Sequence, residues 1–431
     1  MDIPFDELKK NGRINIDDGI KNGTIFDTEI YNVGSRNKMW FNNSSYMFKE
    51  IWNDSYEDYA ELIASELAKE FGIPSAYYDL AIYQGKNGVI TKNFVNEDIG
   101  EELIIGKDIV NTIYNLHIKP IKYLCKKYIS ILNTAGCDFS LANINEIKLD
   151  SKIKIIKSVL DLYKQVSLIN SSLLAKLINV NVDNLTDKEV NYYLEELNKI
   201  FLDFFEMYEY GFEEDDKGYI NGNFNNNLYD LWSLIELYFK YYKLPIENAN
   251  DIIKTLADLF IFDILTSQGD RHYENWGLII NNENGSVRFS PIFDNSNICN
   301  LNRSKAIKTI NTYIDGISKR KDSDPAKERT MQRLKEAIYH EKSLLDVNTN
   351  DLKQKNTEKM MNFAKVSSSE IIDLVKNKLD LLTQDVIDNI FTRIERRIKV
   401  KIPDEIKRTV KTTIQININE FRIALNKGMI K

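Results

Sequence analysis

The sequence predicts an α+β chain in two lobes, a small β-rich one followed by a larger helical one that carries extra helices at its C-terminal end. Three observations carry that expectation. Bulky and polar residues alternate around two turn-forming tips before about residue 97, apolar residues recur at helical spacing from about Ile99 onward, and a charged loop with a short hairpin interrupts the helices near residues 267 to 296. Size permits it. At 431 residues, 43% hydrophobic and 11% aromatic, the chain can bury one large core or two to three smaller ones, which excludes a disordered or fibrous protein.

Taken in order, "KMWFNNSSYMFKEI" (38 to 51) and "YYDLAIYQGKNGVITKNFV" (77 to 95) read as hairpins, with tips at Asn42 to Ser45 and at Gln84 to Gly88. Between them, "SYEDYAELIASELAKEFGIP" is an amphipathic helix that Gly72 caps and Pro74 stops. Helical periodicity then holds over 108 to 133, 152 to 179, 186 to 211 and 225 to 243. "ANDIIKTLADLFIFDIL" (249 to 265) is apolar on nearly every face, so it is expected to run through the middle of the larger lobe. Two short strands follow, Leu278 to Ile280 and Val287 to Phe289. "KRKDSDPAKER" reads as a linker or loop, and a last helical region runs from 330 to 431, reset at Pro403 and Asp404. The apolar spacing from Ile371 to Ile394 fits core packing. The expected division is therefore a nucleotide-binding lobe over 1–97, a helical lobe over 98–320 and a helical extension over 321–431.

Composition narrows the function. A net charge of -7 gives no overall pull toward nucleic acid or an anionic membrane, so direct nucleic-acid binding is not expected. Cys125, Cys137 and Cys299 lack the spacing of a disulfide framework or a zinc site, which fits a reducing, cytoplasmic setting. Neither a signal peptide nor a membrane span is legible.

The chemistry concentrates in "SQGDRHYENWGLII" (267 to 280), which follows the most apolar helix, and in "SPIFDN" beyond the hairpin. Phosphoryl transfer needs a carboxylate to orient the attacking hydroxyl, an oxygen ligand on the same loop, and a second carboxylate to hold magnesium against the phosphates. Asp270 and Asn275 have the Asp-to-Asn spacing of a protein-kinase catalytic loop, and Asp294 lies where the metal-binding aspartate belongs. Taken singly, each of these residues is as well explained by a solvated turn or a cap. The joint pattern is what points to catalysis.

"GDRHYEN…SPIFDN" resembles the HipA-like kinases, bacterial serine/threonine kinases with a two-lobed, protein-kinase-like fold, and a related signature occurs in phosphatidylinositol kinases. The resemblance reaches the small lobe. "VGSRNKMWF" is similar to that family's phosphate-binding loop, which implies that Gly34, Ser35, Arg36 and Lys38 face the phosphates of ATP. "YMFKEI" supplies Lys49 as the strand lysine, the following helix supplies Glu61 as its partner, and "VITKNFV" puts Phe94 and Val95 where adenine is held. By the same resemblance Asp270 is the catalytic base, Asn275 and Asp294 hold Mg2+, and Arg271 and His272 shape the loop. It further implies a protein substrate, a small DNA-binding antitoxin as possible partner, and autophosphorylation of serines in or beside the phosphate loop, for which Ser35 is the candidate; the other reading of Ser35 is a hydrogen bond to phosphate or to the turn. Only about thirty residues precede Gly34, so the likeness is to shorter members without the N-terminal domain of HipA. The shared loop signature leaves a lipid or small-molecule kinase as an alternative, and an idle kinase-shaped binding module as a third reading.

Overall fold

A computed structural model describes residues 5–30, 37–134, 136, 146–165, 180–209, 228–245, 247–339 and 356–428. Packing divides the chain into two units, Met1–Gly106 together with Asn225–Lys431, and Lys107–Phe224.

The first unit opens with helices α1 (Phe5–Leu8) and α2 (Ile16–Lys21) around strands β1 (Lys9–Lys10) and β2 (Arg13–Asn15). Strands β3 (Asp27–Ile30), β4 (Lys38–Phe41), β5 (Tyr46–Glu50), helix α3 (Glu57–Phe71) and strands β6 (Tyr78–Tyr83) and β7 (Lys86–Lys92) follow. They form a seven-stranded sheet in the order β1-β2-β6-β7-β5-β4-β3. Both expected hairpins are present. The β4–β5 tip takes three left-handed residues, Asn42, Asn43 and Ser44 (φ 52, 51 and 60°), a conformation that asparagine tolerates better than most. The β6–β7 turn is tighter than expected, because Gln84 and Gly85 alone make it and Gly88 lies inside β7. A Cβ on Gly88 would come within 2.3 Å of the Lys49 carbonyl oxygen, so the close approach of β7 to the strand carrying Lys49 depends on that glycine.

A second departure follows at once. Glu101–Ile105, expected as the start of the helical lobe, is strand β8, paired antiparallel with Gly277–Asn281, with Ile104 opposite Leu278. The segment "EELII" has too few residues to show a period, so backbone pairing with a partner almost two hundred residues away settles its form.

The second unit is helical among its described residues. It holds α4 (Gly106–Ile113, which starts on the last residue of the first unit), a π-turn over Tyr114–Ile118, α5 (Lys119–Thr134), α6 (Leu149–Gln165) and α7 (Asp187–Glu209). Its own core gathers Tyr128, Leu132, Ile156, Leu194 and Leu197, and Tyr128 stacks on Phe201 at 4.3 Å. Residues 166–179, 210–211, 225–227 and 340–355 of the expected helical runs lie outside the described residues.

The first unit resumes with α8 (Leu228–Tyr242) and α9 (Glu247–Thr266), then β9 (Gly277–Asn281) and β10 (Val287–Phe289). With β8 these strands make a three-stranded sheet. Helices α10 (Ser304–Ser318), α11 (Pro325–Ile338), α12 (Asn356–Val366), α13 (Ser369–Leu381), α14 (Gln384–Ile398) and α15 (Asp404–Gly428) complete it. The expected linker over "KRKDSDPAKER" shrinks to 319–324. Asp324 caps α11 by accepting from the Ala326 N–H at 2.8 Å, and Pro325 fits the first turn because that turn lacks backbone acceptors. Along α13 and α14, Ile372, Val375, Leu379, Leu382, Ile390 and Ile394 are buried, as the apolar spacing implies, whereas Ile371 is exposed. Among the described residues no helix is long and apolar enough to cross a membrane.

Candidate active site

Strand β5 and helix α3 bring two opposite charges together in the buried interior. The Lys49 Nζ donates to Glu61 Oε1 at 2.7 Å and to Asp294 Oδ1 at 2.6 Å, while the Asn295 N–H donates to the other Glu61 oxygen at 2.8 Å. Lys49 is only 4% exposed and Glu61 is fully buried. Burial works against the Lys49 ammonium, but the Glu61 and Asp294 carboxylates outweigh it and raise its pKa. Burial pushes the Glu61 carboxyl up and Asp294 adds to that, with Lys49 pulling the other way. The three residues come from a strand, a helix and a loop separated by up to 245 positions.

Asp294 has a left-handed backbone, φ 56°, which few non-glycine residues adopt without a tertiary reason. That reason is visible around it. The Lys49 ammonium holds its carboxylate, and its own N–H donates to the Tyr78 hydroxyl at 3.4 Å. Burial and the neighbouring Glu61 push the Tyr78 phenol well up, so it stays a neutral group beside the carboxylates.

The loop after α9 is built around Arg271, which has no exposed side-chain surface. Its guanidinium reaches both oxygens of Asp263 at 3.2 Å, the carbonyls of Asn275 and Phe293 at 3.0 and 3.1 Å, and the Asn295 side-chain oxygen at 2.5 Å. One residue thereby ties the helix, the loop and the segment carrying Asp294 into a single frame. Asp263 lies on α9, and burial pushes its carboxyl up to about 6 against the pull of Arg271. Ser267 (φ 51°) breaks the helix, and Asn417 of α15 donates to the freed carbonyls of Ile264 and Leu265 at 3.0 and 2.9 Å.

On that frame Asp270 keeps its side chain 43% exposed. Its N–H donates to Gln268 Oε1 at 3.2 Å, and its carbonyl accepts from the Asn275 side-chain amide at 2.7 Å. Burial raises the Asp270 carboxyl and the Asp294 charge raises it further, while His272 opposes both. His272 Nε2 lies 3.6 Å from Asp270 Oδ1, and its Nδ1 accepts from the Glu274 N–H at 3.3 Å, shaping the turn. Because the Asn275 amide nitrogen is committed to Asp270, its amide oxygen is the atom left for a cation.

A cavity of about 530 Å³ adjoins the Lys49 cluster, large enough for a nucleotide. Trp40, Met47, Thr91 and Leu103 line it beside Lys38, Lys49, Phe94, Val95 and Asp294. Phe94 stacks on Phe293 at 5.7 Å, which joins the strand-end segment to the residue before Asp294. The Val95 N–H donates to the Asn93 side chain at 3.0 Å.

Lys38, Lys49, Glu61, Phe94, Val95 and Asp294 therefore share one cluster and cavity, and Asp270, Arg271, His272 and Asn275 share the loop frame. Gly34, Ser35 and Arg36 lie outside the described residues. Reading the sequence alone missed Tyr78, Asp263, Gln268, Asn295 and Asn417. Only Asp263 left a signal, as the one charge inside the apolar run Leu259 to Leu265. The others are polar residues whose partners are distant in sequence.

No protein-family profile matches the chain, and no curated protein sequence does. Among solved structures, a Helicobacter pylori proinflammatory kinase, CtkA, is similar over 97% of this chain and 98% of its own, with 14% identity and a TM-score of 0.48. HipA of Shewanella oneidensis MR-1, solved in a toxin–antitoxin complex with HipB and operator DNA, is similar over 96% of this chain and 70% of its own, with 10% identity and a TM-score of 0.37.

Proposed function

We propose that this protein is an ATP- and Mg2+-dependent serine/threonine protein kinase of HipA-like type. The observation that carries the reading is Lys49 lying 2.7 Å from Glu61 and 2.6 Å from Asp294, beside the cavity and next to the loop of Asp270 and Asn275. A buried lysine with two carboxylates is costly to maintain in a merely structural role, whereas a phosphotransferase needs it to engage the phosphates of a nucleotide. In this reading Lys49 and Lys38 bind phosphate, Phe94 and Val95 hold the base, and Asp270 accepts the proton of the attacking hydroxyl. Gly34, Ser35 and Arg36 complete the phosphate loop.

The Asn275 amide oxygen and the Asp294 carboxylate are hard oxygen donors, which suits magnesium. Among the described residues no three His, Cys, Asp or Glu side chains are grouped as a metal cage, and magnesium held largely by substrate phosphates needs none. When bound it would neutralise charge developing on those phosphates.

The partners expected are a protein substrate and a small DNA-binding antitoxin, with residues 1–97 as the nucleotide lobe, 98–320 as the catalytic lobe and 321–431 as an extension. Autophosphorylation of Ser35 would set about 1.5 to 2 negative charges beside a site meant for phosphate, and so weaken nucleotide binding. Incubation with labelled ATP and magnesium tests the whole: the wild type labels itself or a protein in a lysate, and Asp270→Asn does not. Mass spectrometry of the same samples should find phosphate on Ser35 in the wild type alone. Equal labelling by Asp270→Asn overturns the reading, and labelling of lipid vesicles in place of protein favours a lipid kinase.

A further inference from the structure

The C-terminal helices grip the helix that carries Glu61. Glu61 points to Lys49 from one side of α3, and Glu66, five residues on, lies roughly 140° around the helix. There α14 meets it. Arg393 Nε lies 3.3 Å from Glu66 Oε2 and its Nη2 2.6 Å from Glu70, while Arg397 Nη1 lies 3.1 Å from Glu66 Oε1. The Glu66 side chain is 8% exposed and Arg397 21%, while Arg393 (44%) and Glu70 (31%) face water, so the grip is shielded on the Glu66 side. Other helices hold the two ends. The Tyr56 hydroxyl, at the start of α3, donates to Glu405 of α15, and Lys378 of α13 donates to the Phe71 carbonyl, in the last residue of α3, at 3.2 Å. The end of α14 is itself wedged in place, because Lys9 donates to the Arg397 carbonyl at 2.8 Å and a Cβ on Gly12 would strike Val400 at 2.6 Å.

We infer that Glu66, Arg393 and Arg397 are positioning residues, through which the C-terminal helices hold α3 in the register that pairs Glu61 with Lys49. In phosphotransferases that use a strand lysine, this pair must be in place for the reaction, and the helix carrying the glutamate is the part whose position controls it. In this chain ion pairs on the opposite face of α3 perform that control, so the pair is preassembled without a phosphorylated segment. Burial would raise the Glu66 carboxyl, but Lys69, Arg397 and Arg393 outweigh it, which keeps Glu66 charged and the grip intact.

The inference rests on the phosphotransfer reading, and two readouts separate the fates of the two. In the double variant Arg393→Gln with Arg397→Gln, hydrogen exchange of the amides of Glu57–Phe71 should rise while β5 is unchanged, in protein shown to be folded by circular dichroism. Phosphotransfer kcat should fall by roughly tenfold to a hundredfold at a temperature well below the melting point, and Arg393→Lys with Arg397→Lys should recover most of it. Should the double variant not fold, Glu66→Gln carries the same two measurements. A folded variant with unchanged α3 exchange and unchanged kcat overturns the inference. A wild type that transfers no phosphate sinks the kinase reading alone, because the exchange measurement still decides whether α14 holds α3.

Discussion

Asp270 and Arg271 are neighbours in the chain and opposites in the structure. Among the described residues the Asp270 side chain, 43% exposed, makes no short ion pair, while the wholly buried Arg271 side chain donates to Asp263, Asn275, Phe293 and Asn295. The difference separates two tasks. A group that meets a changing substrate must keep unsatisfied capacity, whereas a group that fixes geometry works best where every donor is spoken for and water is excluded. The Lys49 cluster lies between these extremes, buried on the Glu61 side and a quarter exposed at the Asp294 side chain, where the cavity begins.

Changing either neighbour should show which task it performs. Asp270→Asn should lower phosphotransfer by roughly 10²- to 10⁴-fold, the range for a general base, while shifting the melting temperature little. Label transfer and a thermal melt on the same preparation check it, and a large fall in stability would mean that Asp270 belongs to the frame. Arg271→Met should do the reverse first. It strands Asp263 in the interior, and denaturant unfolding should show a loss of about 3–5 kcal/mol, with activity disappearing as a consequence of misfolding. A well-folded, inactive Arg271→Met would show that the residue acts on substrate.

The remaining two predictions sharpen the contrast with smaller effects. In the proposed reaction Asp270 must be ionised to accept a proton, and its pKa is raised, so activity should be lost as pH falls through a value above the ordinary aspartate range. Because His272 pulls that carboxyl down, His272→Gln should move the acidic limb of the kcat/KM profile to higher pH, and a limb that stays put would show that the two do not communicate. Outside the site, Lys319 and Lys321 are exposed in the loop before α11, beside the half-buried Arg320. Reversing these three charges should slow phosphorylation of an acidic protein substrate several-fold without changing the KM for ATP, in keeping with rim charges that act on encounter. Unchanged substrate kinetics would remove this loop from recognition.

Local pattern was enough for much of this. Alternation around two tips revealed the β4–β5 and β6–β7 hairpins, Gly72 and Pro74 marked the end of α3, and the apolar face of 249 to 265 showed a helix that had to be buried. The spacing of Asp270, Asn275 and Asp294 marked the candidate site, because loop chemistry is concentrated in short stretches of chain. What failed was whatever depended on a distant partner. Glu101–Ile105 became a strand only because β9 offered it a ladder, and Tyr78, Gln268, Asn295 and Asn417 are unremarkable polar residues until the fold closes around them.

The sequence by itself determined which residue types stand at the site and which segments are helix or hairpin, since capping, turn chemistry and hydrophobic period act over a few positions. Tertiary structure alone decided that Lys49 meets Glu61 and Asp294, that Arg271 is sealed while Asp270 is open, and that α14 grips α3. Those outcomes turn on burial and on charges brought together across as many as 331 positions, and the energy of a buried pair depends on what surrounds it, which no local stretch of sequence contains.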